Sequence, residues 1–468
     1  MTPSHVAVID FGKTNVKVAV VDLAAEREVA ERRMPNGVLG GAPYPRYDTE
    51  AHWAFLLAAL AELGADWPVG AIAITTHGAT AALVDADGGL VLPILDYEHP
   101  LPPSDYDALR PDFALTGSPR LGAGLNLGAQ LHWLFGAFPE ETGRAAHILT
   151  YPEYWAMRLC GVPAVEATSL GCHTDLWNPW AGDFSPLVDA MGWRRLMPPL
   201  RRAGEPLGPL RPEIAARTGL PPATPVLCGI HDSNASLYAH LRRRSGPFAV
   251  VSTGTWVIAM AIGAEPRALD PGRDLLVNVN GLGDPTPSAR FMGGREYEII
   301  RAGRALVPTP EHRARVLARG LMLLPAVEPG SGPFRGREGG WTEPPGSDGE
   351  TAVALAFYLA LVTAESLSLL GAAGPIVVEG PFAANADFLD MLEAAAGRPV
   401  LASSGGATGT AVGAALLAGG VQDAAPEPAS ARDTGALRGY AARWRGMVAA
   451  SDRPALPIAG QRGPVLAG

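Results

Sequence analysis

The sequence has little cysteine, no excess of positive charge and no long apolar run. Its three cysteines, Cys160, Cys172 and Cys228, are odd in number and form no CxxC pair. They predict buried free thiols in a reducing compartment. The 47 acidic residues outnumber the 37 basic ones, which gives a net charge of −10. This charge argues against a nucleic-acid partner, because the phosphates would be repelled by such a surface.

No stretch is apolar for long enough to predict a transmembrane helix. The longest candidate, residues 249–264, contains Ser, Thr and Gly, whereas a membrane span needs about 18 uninterrupted apolar residues. The first five residues, MTPSH, are followed by a strand pattern, without the basic and apolar regions of a signal peptide. The sequence therefore predicts a soluble, cytoplasmic protein with no membrane partner.

Length and composition predict two globular domains. A chain of 468 residues exceeds one ordinary core, and domains of roughly 200 residues are the prior expectation. The turn residues Ser245-Gly246-Pro247 separate a helical pattern from a strand pattern. We therefore expect domains at 1–245 and 246–468, with a peripheral tail from about residue 421 that carries one helix.

A valine-rich hairpin at Val6–Leu23 is the clearest local pattern. Two runs of β-branched residues flank the polar segment DFGKTN at residues 10–15, which predicts two strands and a tight turn. Small residues with free N–H groups can hold phosphate oxygens, and Lys17 adds a positive charge nearby. Asp10 ends the first strand, a usual place for a metal-facing carboxylate. The alternative is an ordinary hairpin whose Asp and Asn satisfy turn geometry.

Later segments repeat this plan of a strand followed by a glycine turn. Gly254 and Gly380 each follow a short apolar strand, and Asp232 follows the predicted strand Pro225–Gly229. A protein with one such turn in each half and two carboxylates can hold a nucleotide between its halves. Mg²⁺ needs few protein carboxylates because it keeps its waters, and phosphoryl transfer needs little beyond positioning and one base.

Other segments have the periodicity of ordinary helices and strands. Asp48–Gly64 and Thr351–Gly371 are predicted helices, and Val69–Thr75 is a predicted buried strand. Ala81–Val84 and Leu90–Leu95 flank the turn residues DADGG, which predicts a hairpin.

Six motifs in order, between Val6 and Gly420, resemble the FGGY family of carbohydrate kinases, which lies within the actin/hexokinase/Hsp70 ATPase superfamily. The motifs are DFGKTNVK at 10–17, TTHGATAALVD at 75–85, GIHDSNASL at 229–237, VSTGTW at 251–256, VEGPFAANADF at 378–388 and GGATGTAVGAALLAG at 405–419. The resemblance implies an α/β fold of two RNase-H-like domains that flank a central cleft. It also implies ATP- and Mg²⁺-dependent phosphorylation of a small sugar.

The resemblance implies site residues position by position. Asp232 corresponds to the general base that contacts the sugar hydroxyl, and Asp10 and Asp232 correspond to the magnesium site. The implied phosphate contacts are Gly12, Thr14, Asn15, Lys17, Thr253 and Gly254, and the implied adenosine contacts are Gly380 and Asn385. Thr76 and His77 match positions that bind ketose hydroxyls, while Asp96 and Glu98 are candidate sugar ligands by position only.

Two residues depart from the family pattern. Pro381 replaces a glycine and removes an N–H from the adenosine loop, which puts the nucleotide preference in question. Lys13 replaces a small residue and either crowds or aids the phosphates.

The sequence leaves the substrate open. The phosphate-loop forms favour L-fuculose or L-rhamnulose, whereas the His77-Gly78 segment favours a pentulose such as xylulose or ribulose. Two alternatives of another class are a catalytically inactive nucleotide-binding regulatory protein and a chaperone-type ATPase on the same fold. Homodimers are common in the family, so the resemblance leaves a homodimer open.

Overall fold

The computed structural model describes residues 2–403, 409–419 and 435–450. Part of the last motif, Gly405–Thr408, lies outside the described residues, and so does most of the predicted tail.

Twenty-three strands are present in the described residues. In chain order they are β1 His5–Phe11, β2 Asn15–Asp22, β3 Arg27–Pro35, β4 Val38–Leu39, β5 Arg46–Tyr47, β6 Val69–Thr76, β7 Ala81–Val84, β8 His147–Thr150, β9 Val165–Glu166, β10 Trp177–Asn178, β11 Asp183–Phe184, β12 Leu200–Arg201, β13 Pro206–Pro209, β14 Pro225–Leu227, β15 Ile230–His231, β16 Phe248–Thr253, β17 Val257–Ile262, β18 Leu275–Val279, β19 Pro285–Phe291, β20 Leu323–Leu324, β21 Gly340–Trp341, β22 Ile376–Glu379 and β23 Val400–Ala402.

Sixteen α-helices are present in the same residues. They are α1 Thr49–Asp66, α2 Tyr106–Leu109, α3 Phe113–Thr116, α4 Leu127–Ala137, α5 Pro139–Thr142, α6 Tyr151–Cys160, α7 Ala167–Leu170, α8 Pro186–Ala190, α9 Pro212–Thr218, α10 Asp232–Leu241, α11 Gly293–Arg301, α12 Pro310–Arg319, α13 Asp348–Leu369, α14 Ala386–Ala396, α15 Thr410–Leu416 and α16 Gly435–Ala449. Short 3-10 helices lie at Arg194–Leu196, Pro271–Arg273 and Pro381–Ala384.

Two large mixed sheets repeat one strand arrangement. In the first sheet, β1 pairs antiparallel with β2 and parallel with β6. The order is β13-β14-β6-β1-β2-β3, and a seventh strand, β15, also pairs with β6. In the second, β16 pairs antiparallel with β17 and parallel with β22, in the order β18-β19-β17-β16-β22-β23. The repeat confirms the predicted α/β fold of two RNase-H-like units.

The first sheet is covered on both faces because its strands alternate two apolar sets. Ile9 and Phe11 pack with residues of α1 and α6, whereas Val6 and Val8 pack with residues of α10 and α15. This alternation follows from the period of two along a strand.

Helix α10 lies between the two sheets. Its Ala235 packs with the first sheet and its Leu237 with the second. It also approaches α15 closely, because a Cβ added at Gly413 would lie only 1.8 Å from the carbonyl oxygen of Ala235. α15 belongs to the second half of the sequence but covers the first sheet. The division of the chain at residues 245 and 246 stays a prediction.

Helix α16 was expected in a peripheral tail, but its apolar face packs into the core under the second sheet. Tyr440 and Trp444 are each 1% exposed. The Tyr440 hydroxyl donates to the Leu321 carbonyl at 2.6 Å, and Trp444 Nε1 donates to that of Leu323 at 2.8 Å. The alanine- and arginine-rich composition hides the fact that these aromatic residues share one helical face.

Two further predictions have different outcomes. The predicted helix at Thr351–Gly371 forms as α13. By length and composition α13 could cross a membrane, but 78% of its most apolar window is buried inside the protein. The expected strand Leu90–Leu95 does not form, since only isolated bridges occur at Leu90 and Leu95. The strand partner of β7 is β8, so the prediction of a second strand was wrong. The predicted turn does form, since Val84 and Leu90 make an antiparallel bridge and the Val91 N–H donates to the Leu83 carbonyl at 2.9 Å.

Candidate active site

The carboxyl ends of three parallel strands bring three predicted site segments together. Phe11 of β1 pairs with Thr76 of β6, which pairs in turn with His231 of β15. Asp10 precedes Phe11, and Asp232 follows His231 at the first position of α10. Ligand sites in open α/β sheets lie at this edge. The fold therefore gathers at one edge residues that are more than 200 positions apart in the sequence.

Asp10 is a mostly buried carboxylate within the field of other charges. Burial raises the pKa of Asp10 to about 6; the positive charge of Lys17 opposes this shift, and the negative charge of Asp232 adds to it. Lys17 Nζ lies 3.8 Å from Asp10 Oδ2 and 2.8 Å from Glu28 Oε1. Asp10 therefore lies within range of the charge of Asp232, and both carboxylates offer oxygen atoms of the kind that hard cations bind.

Asp232 is held by contacts that all fall on one of its oxygens. Oδ1 accepts a hydrogen bond of 2.6 Å from the backbone N–H of Ser233 and one of 3.3 Å from its hydroxyl. His231 Nε2 lies 3.3 Å from the same oxygen. Asp232 Oδ2 is thus left without a contact from these groups and can meet a ligand.

Behind Asp232, a buried thiol and an imidazole lie together. Cys172 Sγ is 3.4 Å from His231 Nε2. Burial alone would raise the pKa of Cys172, but the charges of His173 and His231 lower it to about 5. Burial likewise opposes the charged form of His231, but Cys172 and Asp232 raise its pKa to about 9. All three cysteines are free, as predicted, and Cys172 and Cys228 are buried, whereas Cys160 is only half-buried.

Thr76 and His77 lie at the end of β6, where sugar contacts were predicted. The Thr76 hydroxyl donates to the His77 carbonyl at 2.8 Å. His77 Nδ1 contacts the Gly78 carbonyl at 3.0 Å, whereas its Nε2 is buried without a hydrogen-bond partner in the described chain. Burial lowers the pKa of His77, so the ring is neutral at pH 7. A buried, unpartnered ring nitrogen favours a ligand contact.

Asp96 and Glu98 lie beside the first loop, residues 10–15, and both form ion pairs with Lys13 of that loop. Lys13 Nζ is 2.6 Å from Asp96 Oδ1 and 3.1 Å from Glu98 Oε2. The same ammonium lies 4.5 Å from the centre of the Tyr97 ring. Tyr97 lies 5.2 Å from the His77 ring, centre to centre. Lys13 thus contacts two predicted sugar ligands directly, Asp96 and Glu98, and is connected with a third, His77, through the Tyr97 ring.

The first loop, residues 10–15, forms a tight turn with exposed polar residues at its tip. Gly12 N–H donates to the Asn15 carbonyl at 3.0 Å. Thr14 and Asn15 are exposed. Lys17 points at Asp10 and Glu28, so its ammonium lies beside the candidate metal ligand.

The second loop, residues 253–256, is hydrogen-bonded to the segment at residues 378–388, which is the predicted adenosine loop. The Thr253 hydroxyl donates to the Glu379 carbonyl at 2.6 Å and accepts from the Phe382 N–H at 3.1 Å. This hydroxyl is therefore occupied by protein groups. A Cβ added at Gly380 would lie 2.0 Å from the Thr253 carbonyl oxygen, and Gly380 has φ +81°. Only glycine fits at this position.

A cavity of about 620 Å³ opens beside the second loop. Its lining residues are Gly254, Thr255, Gly294, Arg295, Tyr297, Glu298, Pro381, Phe382 and Asn385. The volume is typical of small-molecule sites. Asn385 also caps α14, since its Oδ1 accepts from the Phe388 N–H at 3.1 Å. The cavity includes the predicted residues Gly254 and Asn385.

Sequence reasoning missed several of the residues that form these sites. Tyr297 and Phe382 line the cavity with rings 6.1 Å apart, and Gly294 lies so close to Gly254 that an added Cβ would be 2.1 Å from its carbonyl oxygen. The Gly293-Gly294 pair at the start of α11 was the available signal. Tyr97 carried none beyond its place between Asp96 and Glu98.

Two family models match the chain over almost its whole described length. The FGGY family of carbohydrate kinases, N-terminal domain, matches residues 5–239, and the carbohydrate kinase FGGY, C-terminal domain, matches residues 245–428. The chain belongs to the FGGY family of carbohydrate kinases. The resemblance read from the six motifs is confirmed.

Individual relatives agree on the family and differ in substrate. L-fuculokinase of Escherichia coli K12 is 29% identical over 280 residues, which cover 57% of this chain and 58% of the relative. The chain therefore matches less than two thirds of that relative's length. L-xylulose/3-keto-L-gulonate kinase of the same organism is 28% identical over 137 residues, 28% of this chain and 27% of the relative.

Solved structures match the FGGY chain over nearly its full length. A carbohydrate kinase from Novosphingobium aromaticivorans is 38% identical with a TM-score of 0.88, over 97% of this chain and 100% of that one. Xylulose kinase from Rhodospirillum rubrum has a TM-score of 0.74 at 21% identity, over 95% and 98%; at that identity the match shows the fold alone.

Proposed function

We propose that the protein phosphorylates a small sugar with ATP, with Asp232 as the base. The observation that carries the proposal is the convergence of Asp10, His77 and Asp232 at one sheet edge in a chain of the FGGY family. A carboxylate can take the proton of the acceptor hydroxyl as this oxygen attacks the terminal phosphorus of ATP. Asp232 Oδ2 suits this role because the described contacts fall on Oδ1.

The residues at this edge also fit a magnesium ion. Asp10 and Asp232 offer the hard oxygen ligands that Mg²⁺ prefers, and one or two carboxylates suffice because the ion keeps several waters. When bound, the ion would neutralise charge on the phosphates.

The nucleotide would bind across the two loops. Gly12, Thr14, Asn15 and Lys17 would contact phosphates from the first half, and Thr253 and Gly254 from the second. Because the Thr253 hydroxyl already has two protein partners, we infer that this residue contributes backbone groups. The cavity with Gly254 and Asn385 would take the adenosine, with Gly380 behind it.

The preferred substrate is a deoxy-ketose such as L-fuculose or L-rhamnulose, bound by Thr76, His77, Asp96 and Glu98. The L-fuculokinase relative supports this choice. A pentulose is the second candidate, which the L-xylulose/3-keto-L-gulonate kinase relative supports.

A coupled ADP-release assay with Mg-ATP and a panel of ketoses, polyols and aldoses tests the proposal. We expect one sugar to give turnover that Asp232→Ala abolishes. Binding of ATP without turnover on any sugar would contradict the proposal and favour a nucleotide-binding regulatory protein. Turnover stimulated by peptides instead of sugars would favour a chaperone-type ATPase.

A further inference from the structure

Lys13 belongs to the first loop, but its side chain extends away from that loop toward Asp96 and Glu98. Its ammonium lies 2.6 Å from Asp96 Oδ1, 3.1 Å from Glu98 Oε2 and 4.5 Å from the centre of the Tyr97 ring. The Lys13 side chain is 28% exposed and that of Asp96 is 10% exposed. An ion pair this sheltered is held more firmly than a surface pair.

We propose that Lys13 is a specificity-determining residue of the sugar site, which donates to a substrate oxygen and, with Asp96 and Glu98, selects neutral polyhydroxy compounds over sugar acids. This inference rests on the proposed function and narrows its substrate class. It gives Lys13 a role at the sugar in place of the phosphate role that its sequence position suggests.

The hydrogen-bonding capacity of the cluster supports a substrate with several hydroxyls. An ammonium has three N–H donors, and Lys13 uses one in the hydrogen bond to Asp96 Oδ1 while it forms an ion pair with Glu98, which leaves a donor for a substrate oxygen. Asp96 Oδ1 receives the bonds from Lys13, the Tyr47 hydroxyl and the Glu98 N–H, which leaves Oδ2 as an acceptor. His77 Nε2 is also without a partner in the described chain. A donor, an acceptor and a ring nitrogen match adjacent hydroxyl or carbonyl oxygens.

The charges of the cluster disfavour an acidic substrate. Asp96 and Glu98 already outnumber the one positive charge of Lys13. Asp10 and Asp232 add negative charge at the adjoining sheet edge, where Lys17 is shared between Asp10 and Glu28. A further cation there, His231, is shared between Asp232 and the Cys172 thiol. A substrate carboxylate would therefore add to an existing excess of like charge. A neutral sugar would bind without this repulsion.

Steady-state kinetics of the full chain test the inference. Wild type, Lys13→Met and Lys13→Gln are compared on neutral ketoses (L-fuculose, L-rhamnulose, the xyluloses and the ribuloses) and on two acids, 3-keto-L-gulonate and D-gluconate. Arg32→Met is the matched control, since it removes one positive charge from an exposed pair with Glu62. Circular dichroism and the melting temperature check that every variant folds.

We expect Lys13→Met to raise the KM for the neutral sugar by about tenfold to a hundredfold, as for the loss of a hydrogen bond to a charged group. The KM for Mg-ATP should stay within about twofold. Lys13→Gln, which keeps a donor, should fall between wild type and Lys13→Met. If Lys13→Met does not fold, Lys13→Gln alone carries the test through the same split between the two KM values.

Each contrary result is distinct. Suppose that the wild type turns over a neutral sugar. If the Lys13 variants then have an unchanged KM for the sugar, or a raised KM for Mg-ATP only, the inference is overturned and the proposed function stays intact. A wild-type preference for either acid also overturns it. A wild type silent on every compound refutes the proposed function and, with it, this inference.

Discussion

The two halves of the molecule share a strand arrangement but differ in what they place at the turn between the first two strands. In the first half, the loop at residues 10–15 carries Asp10 and Lys13, and Lys17 follows on the next strand. In the second half, the loop at residues 253–256 has no charged residue. One topology thus supplies ionic groups on one side of the molecule and backbone groups on the other.

The two loops also differ in how closely other backbone approaches them. A Cβ at Gly12 would lie 3.3 Å from the carbonyl oxygen of Asn15 in its own loop, whereas the second loop is approached by a separate segment, since a Cβ at Gly380 would lie 2.0 Å from the carbonyl oxygen of Thr253. The second half therefore depends on glycine for close packing, and the first depends on side-chain chemistry. Changes in the first half should affect catalysis, and changes in the second should affect folding and nucleotide binding.

The largest effect should come from Asp232→Asn, which tests whether side-chain chemistry in the first half drives catalysis. It keeps the size of the side chain but removes the base, so we expect kcat to fall by about 10²- to 10⁴-fold, measured by ADP release with the active sugar. The melting temperature should change little, because Asp232 is partly exposed. Unaltered kcat would exclude Asp232 as the base.

Gly380→Ala tests whether the second half depends on a glycine for close backbone packing. The new Cβ meets backbone at 2.0 Å in a left-handed conformation, so we expect the free energy of unfolding to fall by about 3–5 kcal/mol, measured by urea denaturation. Gly254→Ala is the matched control, because its Cβ would have no neighbour nearer than 3.8 Å. Equal losses in the two variants would contradict the comparison.

A buried acid beside the cavity should make the second half sensitive to pH. Burial raises the pKa of Glu296 to about 7, so the folded protein keeps a proton that the unfolded chain releases near the ordinary pKa of about 4.5. The stabilisation is full below pH 4.5 and is lost as the pH rises to 7, a change on the order of 3 kcal/mol.

Denaturation of Glu296→Gln at pH 5 and pH 8 measures this contribution. The variant cannot titrate at this position, so its stability should fall less than that of wild type between the two pH values. Glu62→Gln, at an exposed carboxylate, is the control and should behave like wild type. Parallel loss in wild type and Glu296→Gln would argue against a protonated Glu296.

The smallest effect separates the two loop threonines. Thr253→Val removes a hydroxyl with two protein hydrogen bonds, so we expect a loss of about 1–2 kcal/mol in unfolding free energy. Thr14→Val, at an exposed position, should cost less than about 0.5 kcal/mol. If both cost the same, the loops do not differ in the way described.

Local sequence signals predicted several individual elements of the fold. Asp48 predicted the start of α1, and its carboxylate does accept from the Ala51 N–H at 3.1 Å. Strand β6 ends one residue later than expected. Such features depend on periodicity and on capping within a few residues. Leu90–Leu95 failed because an apolar run can be buried without pairing in a sheet.

The candidate site was predictable from ordered motifs only in part. The six motifs indicated Asp10, His77 and Asp232, and the strand register brings them to one edge. The direction of Lys13 was not predictable, because it depends on Asp96, which lies 83 positions away. The packed face of α16 was obscured by composition for a similar reason, since its partners Leu321 and Leu323 are distant in sequence.

The position of α15 also has a consequence for how the chain is made. Val6 and Val8 lie roughly 400 residues before α15, which begins at Thr410 and, together with α10, covers them. A ribosome must therefore synthesise all of the intervening chain before this face of the first sheet is fully covered. Until then, the nascent chain exposes the part of this apolar face that α15 covers, a surface of the kind that chaperones bind, and a fragment truncated near residue 245 would keep that part exposed.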